Sequence, residues 1–427
     1  MLFTFRRKCG FLIVWVMALL FPYSLPAQER SLSSIVPPRL TLELAAEILL
    51  QRNPELLRER QNLTIMRANI MQAGLRPNPE FELGSESYPV FTSSPGPFFQ
   101  RQELTARFGY TFETSRKRSK RTQVAELELA VAQPSLQDTV RQLRLELRRR
   151  YYSVLLAKAN LALAQEGLAQ FDEIIRLNEV RYRQGEISGL DLARVQTERL
   201  RFFSDSLEAE LQLRNAKVAL LELFGAPDMT VDFDVAETLE FRAFSEELPE
   251  LLTAAFDARP DILAQRQRLE LDRGQITLEE AQGTPDVQSF FGYKRNERDN
   301  TVVLGVTVPL PFFNRNQGNI ARANAELKQE QFELQRVELA ARREIHQAYL
   351  TVKAQEERVR SLETTYVVSA RRVQEISQVS YRLGTLDLIG FLDAQRAFRE
   401  TLRTYNQALH DYQVAVFELQ SAAGTER

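Results

Sequence analysis

Residues 182–225 and 381–424 are two diverged copies of one segment. At a shift of 199 positions Tyr182, Arg183, Gly185, Gln196, Ala209, Ala216, Leu220 and Gly225 fall on Tyr381, Arg382, Gly384, Gln395, Ala408, Ala415, Leu419 and Gly424. A second pairing sets NPELL (53–57) against RPDIL (259–263) and Pro79 against Pro285, now at a shift of 206. The seven-residue difference (206 − 199) falls between Pro79 and about Arg116, which again matches Arg315 at 199. One length change inside a collinear duplication marks a loop. The chain therefore reads as two copies of a helix, strand hairpin, long helix, long helix unit, which points to symmetric architecture rather than a single catalytic cleft.

Within each copy the periodicities differ sharply. Leu40–Gly74 has alanines and leucines at helical spacing, with Thr41 as a cap and Pro54 interrupting the first turns. Its counterpart is about Phe244–Gln282, where Pro249 and Pro260 mark turns or first helical residues. Arg118–Arg183 and Gln317–Arg382 are almost free of Gly and Pro, and each predicts a helix of roughly 100 Å at 1.5 Å per residue. Pro134 is expected to kink or divide the first. Each long helix runs into a glycine-containing reversal, YRQGEISGL (182–190) or YRLGTLDLI (381–389), and a returning helix. The last helix carries a seam of Leu388, Phe391, Phe398, Leu402, Tyr405, Leu409, Tyr412, Val416 and Leu419, with Gln395 the polar member. The first return has a looser stripe of Leu200, Phe203, Leu207, Leu211, Val218 and Leu221.

Between the helices the period is two. Leu104, Ala106, Phe108, Tyr110 and Phe112 alternate with Glu103, Thr105, Arg107, Gly109, Thr111 and Glu113. In the second copy Val302, Leu304, Val306, Val308 and Leu310 alternate with Thr301, Val303, Gly305, Thr307 and Pro309. Glu80–Tyr88 and Asp286–Lys294 are the partner strands, and Pro89–Gln100 and Arg295–Asn300 are the connections that absorb the length difference. Strands of this length with one apolar face suit a transmembrane barrel, and four per chain do not close one. Subunits must share it: two chains give eight strands and three give twelve.

The ends and composition narrow the function. Residues 1–27 have the form of a secretory signal, with Arg6, Arg7 and Lys8 before the apolar run Phe11–Phe21 and an exit at Pro22–Ala27. The only cysteine, Cys9, lies inside it, which leaves no thiol for a disulfide, a nucleophile or a thiolate metal site. No later apolar run is long enough for a membrane helix. A net charge of −2, with basic residues dispersed among Glu, does not indicate nucleic acid. The only histidines, His346 and His410, lack partners at ligand spacing, and no nucleotide loop, serine elbow or acid/base set is present. No catalytic, cofactor-binding or metal-ligating set is expected.

These elements, with NPELL, RPDIL, LPFFNRNQGNIARANAE (310–326) and the paired YRQG and YRLG tips, resemble the outer-membrane efflux channel family, the TolC-like channel-tunnels, over about residues 40–424. Within it the chain is similar to the heavy-metal efflux branch typified by CzcC. The resemblance implies a mixed α/β membrane channel: a trimeric twelve-stranded outer-membrane β-barrel continuous with a long periplasmic α-helical tunnel. It implies an exit duct for a tripartite efflux system, with a periplasmic adaptor, an inner-membrane pump of the resistance-nodulation-division type and outer-membrane lipid as partners. Divalent heavy-metal ions are the implied cargo, with drugs or other small molecules as the alternative. The helices taken alone also fit a periplasmic coiled-coil adaptor.

The implied organisation is a signal at 1–27, an N-terminal segment at 28–39, a first repeat at 40–225 with its hairpin at about 80–113, a linker at 226–243, a second repeat at 244–424 with its hairpin at about 286–311, and a tail at 425–427. Adaptor-contacting tips fall on Arg183, Gln184 and Gly185 and on Arg382, Leu383, Gly384 and Thr385. Some family channels carry two acidic residues beside the second tip that constrict the tunnel; the matching positions are Gly390 and Asp393, so one acid is retained. Asp387, Asp191 and Glu186 add charge nearby. Solvated surface carboxylates are the competing reading.

Overall fold

The computed structural model describes residues 36–86, 103–230, 232–296 and 299–425. The expected secretory signal at 1–27, with Cys9, and the Pro89–Gln100 connection lie outside the described residues. The elements run β1 (Arg39–Leu40), α1 (Leu42–Arg52), α2 (Pro54–Ala73), β2 (Glu80–Glu86), β3 (Glu103–Phe112), α3 (Lys117–Arg183), α4 (Gly189–Leu223), β4 (Asp234–Val235), α5 (Leu248–Ala258), α6 (Pro260–Gln282), β5 (Val287–Asn296), β6 (Asp299–Thr307), α7 (Gln317–Ser361), α8 (Val368–Arg382) and α9 (Leu388–Ala423).

The two proline motifs make the same joint. Asn53 breaks the expected Leu40–Gly74 helix in two: it caps α2 by accepting from the Leu56 amide at 3.0 Å, and Pro54 takes the first helical position, where no amide donor is needed. Its Nδ2 donates to the Leu223 carbonyl, 2.8 Å away, at the end of α4. In the second copy Arg259 stands before Pro260, and its Nη1 donates to the Ala422 carbonyl at 3.0 Å. Leu223 and Ala422 are equivalent at the 199-residue shift, so each motif satisfies a helix-terminal carbonyl that would otherwise be an orphan. Gly225 (φ 66°) and Gly424 (φ 67°) turn the chain left-handed immediately afterwards. A Cβ on Gly225 would lie 2.9 Å from the Pro54 ring, so the joint has no room for a side chain there.

Above these joints two cores form. Leu40, Leu49, Leu56, Leu147, Tyr151, Leu220 and Phe224 pack in the first copy, and Leu251, Ile345, Val352, Leu409, Tyr412 and Leu419 in the second. The stretch 226–243 carries β4, which pairs in parallel with β1. The Tyr151 hydroxyl donates to the Leu40 carbonyl at 2.9 Å and to Glu237, and the Tyr412 hydroxyl donates to the Arg242 carbonyl at 2.7 Å.

The long helices depart from expectation in two places. Pro134 does not divide α3, which is continuous over 67 residues; the Ser135 hydroxyl donates to the Val131 carbonyl at 2.9 Å beside it. Instead the second long segment is interrupted by a π turn at Leu362–Val367 between α7 and α8. The seam on α9 is buried at Phe391, Leu409, Tyr412, Val416 and Leu419, with Gln395 buried among them. Five members of the stripe expected on α4, Leu200, Phe203, Leu207, Leu211 and Val218, are exposed, while its last member, Leu221, faces inward with Val195, Phe202, Ala209 and Leu220. Both sets repeat at helical spacing, and only the position of α3 decides which face it covers.

The strands form one antiparallel sheet in the order β2, β3, β5, β6. The pairing of β3 with β5, from Glu103 opposite Asn296 to Phe112 opposite Val287, joins the two copies. β5 and β6 extend further than expected, through Asn296 and from Asp299, while Val308 and Leu310 lie beyond the end of β6. Register places Phe81, Leu83, Phe108, Phe291, Leu304 and Val306 on one face, all exposed. The opposite face carries Glu82, Thr105, Arg107, Lys294 and Thr301. No helix among the described residues is long and apolar enough to cross a membrane.

The Arg259 joint predicts an acid-sensitive stability. Arg259 Nε and Nη2 also donate to Asp261, at 3.0 and 2.5 Å, and Nη1 to Glu344 at 3.0 Å. Burial by itself would raise the Asp261 carboxyl, but the Arg259 fork outweighs it and holds the group below the usual carboxylate range. The carboxylate is thus stabilised by the folded state at neutral pH, and its contribution is lost as pH falls through the depressed native value. Arg259→Ala should cost about 3 kcal/mol, the low end for breaking a buried pair, because Asp261 and Glu344 keep partial access to water. Asp261→Asn should flatten the loss of stability below about pH 4. Denaturant titrations of detergent-purified protein across pH check both.

Candidate functional site

The far ends of the helical hairpins carry the tip residues expected from the sequence. Arg183 ends α3 and Gln184 caps it in right-handed geometry, after which Gly185 turns left-handed at φ 78°. Arg382, Leu383 and Gly384, at φ 74°, repeat the arrangement. The Glu186 amide reaches back to the Arg181 carbonyl and the Thr385 amide to the Ser380 carbonyl, each at 2.9 Å. These are Schellman closures, which require the positive φ that glycine supplies without strain. Around the tips Leu383, Leu190 and Ile389 are strongly exposed.

The acidic residues occupy distinct positions. Asp387 caps α9 by accepting from the Gly390 amide at 3.0 Å. A Cβ on Gly390 would lie 2.9 Å from Asp387 Oδ1 and from Leu386 Cδ1, so a side chain there would displace the ends of both. Asp191 sits in the first turn of α4, where the Ser188 hydroxyl donates to its carboxylate at 2.7 Å and Arg194 lies 3.8 Å away. Asp393 is exposed and paired with Arg396 at 3.4 Å, and Arg396 also faces Glu198 at 3.7 Å. The structure brings Asp387 and Asp393 onto one helix and leaves Asp191 on the other hairpin.

A set of residues that sequence reasoning did not single out as a site locks the hairpins together. Phe171, Ile174, Val195 and Phe202 from the first copy pack with Tyr381 and Phe391 from the second. Phe171 stacks on Phe202 at 4.4 Å between centroids, and Tyr381 on Phe391 at 4.7 Å. The Tyr381 hydroxyl donates to Asn178 Oδ1 at 2.8 Å, and Asn178 Nδ2 to the Ile174 carbonyl at 2.7 Å. Burial raises the Tyr381 pKa, with the Asn178 bond opposing. Arg181 Nη2 donates across the joint to the carbonyls of Tyr381 and Arg382 at 3.2 and 2.8 Å. Further along, Arg399 lies 3.9 Å over the Phe202 ring and 3.0 Å from Asp205; burial pulls its guanidinium below the usual range, with Asp205 opposing. The repeat carries no signal for this set, since at the 199-residue shift Phe171 and Phe202 fall on Ala370 and Thr401, and Phe391 on Leu192.

His410 contacts Asp411 at 3.1 Å and Ser153 at 3.4 Å, and His346 is exposed. No cluster of metal-ligating side chains occurs among the described residues.

The motif PFFNRNQGN builds the turn from the sheet into α7. Asn316 caps α7 in left-handed geometry, with its Nδ2 donating to the carbonyl and the carboxylate of Glu279 at 2.8 and 2.7 Å. In the first copy Arg121 clamps the same level, donating to the carbonyls of Ala73 and Leu75 and to Glu113. Sequence profile and geometry then agree. Residues 45–226 and 251–425 match the family model described as "Outer membrane efflux protein".

The chain belongs to the outer membrane efflux protein family. It is 27% identical over 410 residues to the cobalt-zinc-cadmium resistance protein CzcC of Cupriavidus metallidurans, covering 93% of this chain and 95% of the relative. It is 24% identical over 350 residues to the outer membrane protein TolC of Vibrio cholerae, covering 76% and 75%. In fold it matches the CmeC outer membrane channel of Campylobacter jejuni with a TM-score of 0.75 at 15% identity, covering 90% of this chain and 85% of that one. The CusC channel gives a TM-score of 0.72 at 16% identity, covering 90% and 91%. As a family member the chain is an outer-membrane efflux duct and a non-catalytic transport protein.

The tip geometry yields a local prediction. Nothing lies within 4 Å of a Cβ on Gly384, so Gly384→Val carries only backbone strain, about 1–2 kcal/mol. Hydrogen exchange should accelerate around 381–390 and stay unchanged at the Arg259 joint.

Proposed function

We propose that three copies of this chain close a twelve-stranded barrel in the outer membrane and a helical tunnel beneath it, forming the exit duct of a tripartite efflux system. The observation that carries this is the pair of free edges: among the described residues β2 and β6 each pair with only one neighbour. In hydrocarbon an unpaired edge costs several kcal/mol per group, so a sheet with one apolar face must close on further copies. The strand directions alternate from β2 to β6, so β6 of one copy meets β2 of the next antiparallel. Two copies would give eight strands, whose inward side chains fill the interior; twelve leave a passage. The unpartnered stripe on α4 and the exposed Val368, Val373, Ile376 and Val379 on α8 supply apolar faces for helices of adjacent copies.

In this reading Arg183–Gly185 and Arg382–Thr385 meet a periplasmic adaptor, with exposed Leu383 as the apolar contact. The energy comes from an inner-membrane pump, and the pump selects the cargo. The duct reading holds for general small-molecule efflux; divalent metal ions are the narrower cargo, supported by the likeness to CzcC. A pump of the resistance-nodulation-division type is part of the same proposal, as the resemblance to the heavy-metal efflux branch implies.

Electron microscopy of the purified protein should show three copies around one pore with twelve strands; a monomer or a dimer would refute the assembly. Deletion in the native host, followed by challenge with cobalt, zinc and cadmium salts and with a panel of hydrophobic drugs, separates the cargoes. Sensitivity to the metals alone supports the narrow reading, and sensitivity to the drugs alone removes it.

Three copies also bring Asp393 into a ring near the narrow end. Such a ring attracts cations, and Arg396 offsets part of its charge. Asp393→Asn should lower cation preference only partly, since Asp387 and Asp191 remain. The effect should be largest at low salt, where screening is weak. Reversal potentials in a salt gradient measure it, and an unchanged value in intact trimers supports the solvated-surface reading instead.

A further inference from the structure

The polar face of the sheet carries two apolar side chains, Val303 and Phe290, and Phe290 is the large aromatic one. Phe290 lies in register with Gly109 on β3 and Gly305 on β6, on the same face as Glu82, Arg107 and Lys294. Its ring occupies the space above Gly305, where a Cβ would sit 2.1 Å from Cζ. The ring therefore lies flat along the wall because the neighbouring strand has no side chain there. Arg107 stacks on it, with the guanidinium carbon 4.9 Å from the ring centroid, and Glu82 approaches the guanidinium at 3.8 Å. Opposite Arg107 stands Gly292, where a Cβ would meet the Ala106 carbonyl at 2.8 Å and Arg107 Cγ at 2.9 Å. Two glycines thus make room for two large side chains, one aromatic and one cationic, that lie along the surface.

We propose that Phe290 and Arg107 form a girdle in the lumen of the barrel that sets its width and limits its hold on multivalent cations. The proposal rests on the closed barrel argued above, in which the polar face lines the passage. Three copies place three rings and three guanidinium groups at one height. An Arg side chain stays charged at every working pH. Stacked on the ring and beside Glu82, it offsets a luminal carboxylate that would otherwise bind a passing multivalent ion. Exit requires weak binding at the end of the path, so a girdle whose carboxylate is offset by Arg107 favours release of a cationic cargo. This is a second electrostatic element, at the opposite end of the chain from Asp393.

Purified protein in planar lipid bilayers provides the test. Gly305→Val should lift Phe290 from the wall and reduce single-channel conductance. Arg107→Gln, which keeps a side chain of moderate length at the wall, should shift the reversal potential in a potassium chloride gradient toward cation preference. It should also strengthen block by lanthanum added on the side of the strand loops. Arg107→Gln keeps the test decisive where Gly305→Val fails to assemble. Wild-type conduction with both measurements unchanged in assembled Arg107→Gln overturns the girdle while leaving the duct intact. A wild-type protein that forms no conducting oligomer overturns both.

Discussion

Each half of this molecule depends on the capture of one carbonyl. The returning helices α4 and α9 end with backbone oxygens that have no partner in the helix, and one of these in each is taken by Asn53 or Arg259. Both side chains sit immediately before a proline that begins a second helix, so the same short motif ends one element and starts another. The sheet is carried by α2 and α6, which these joints anchor, and because its strands return as antiparallel hairpins, α3 and α7 leave it from that same end. The two joints use different chemistry for one task. The neutral amide of Asn53 satisfies its helix alone, whereas the guanidinium of Arg259 requires Asp261 and Glu344 to balance it.

From those joints the chain extends in two directions with different needs. Toward the sheet, a four-stranded antiparallel surface exposes phenylalanine, leucine and valine on one face and, among the described residues, leaves both outer strands half paired. Toward the tips, the helices are too long and too polar to make one central core, and burial concentrates at the joints and again around Tyr381 and Phe391. The polar lengths between are held by ion pairs such as Arg399 with Asp205, one member of which is buried against an aromatic ring.

The copies are not equivalent where they meet. α3 runs unbroken past the level at which the second copy has a π turn, although Pro134 would favour a break in the first. At the tips, Asn178 and Arg181 belong to the first copy and Tyr381 to the second, so the contact is made by residues that are not repeat partners. Gene duplication supplies two similar arms, and the asymmetric contact lets each recognise the other.

The duplication, the strand hairpins, the length of the helices and the glycine reversals were legible in the sequence because each follows from local rules: spacing, alternation, proline placement and positive φ. Thr41, Pro54 and Pro260 occupy the capping and first-turn positions that local chemistry assigns them. Other features were decided only by the tertiary structure. The outward stripe on α4 and the inward row of Val195, Phe202 and Ala209 are both helical in period, so the sequence could not say which one α3 covers. The pairing of β3 with β5 crosses more than 170 residues (Phe112 to Val287) and has no signature in either strand. Asp387 and Asp393 looked alike as carboxylates near a tip, yet one caps a helix and the other pairs with Arg396 in solvent. Periodicity reports which residues share a face. What that face meets depends on elements distant in the chain, and hydrogen bonds and burial at those meetings settle what each residue does.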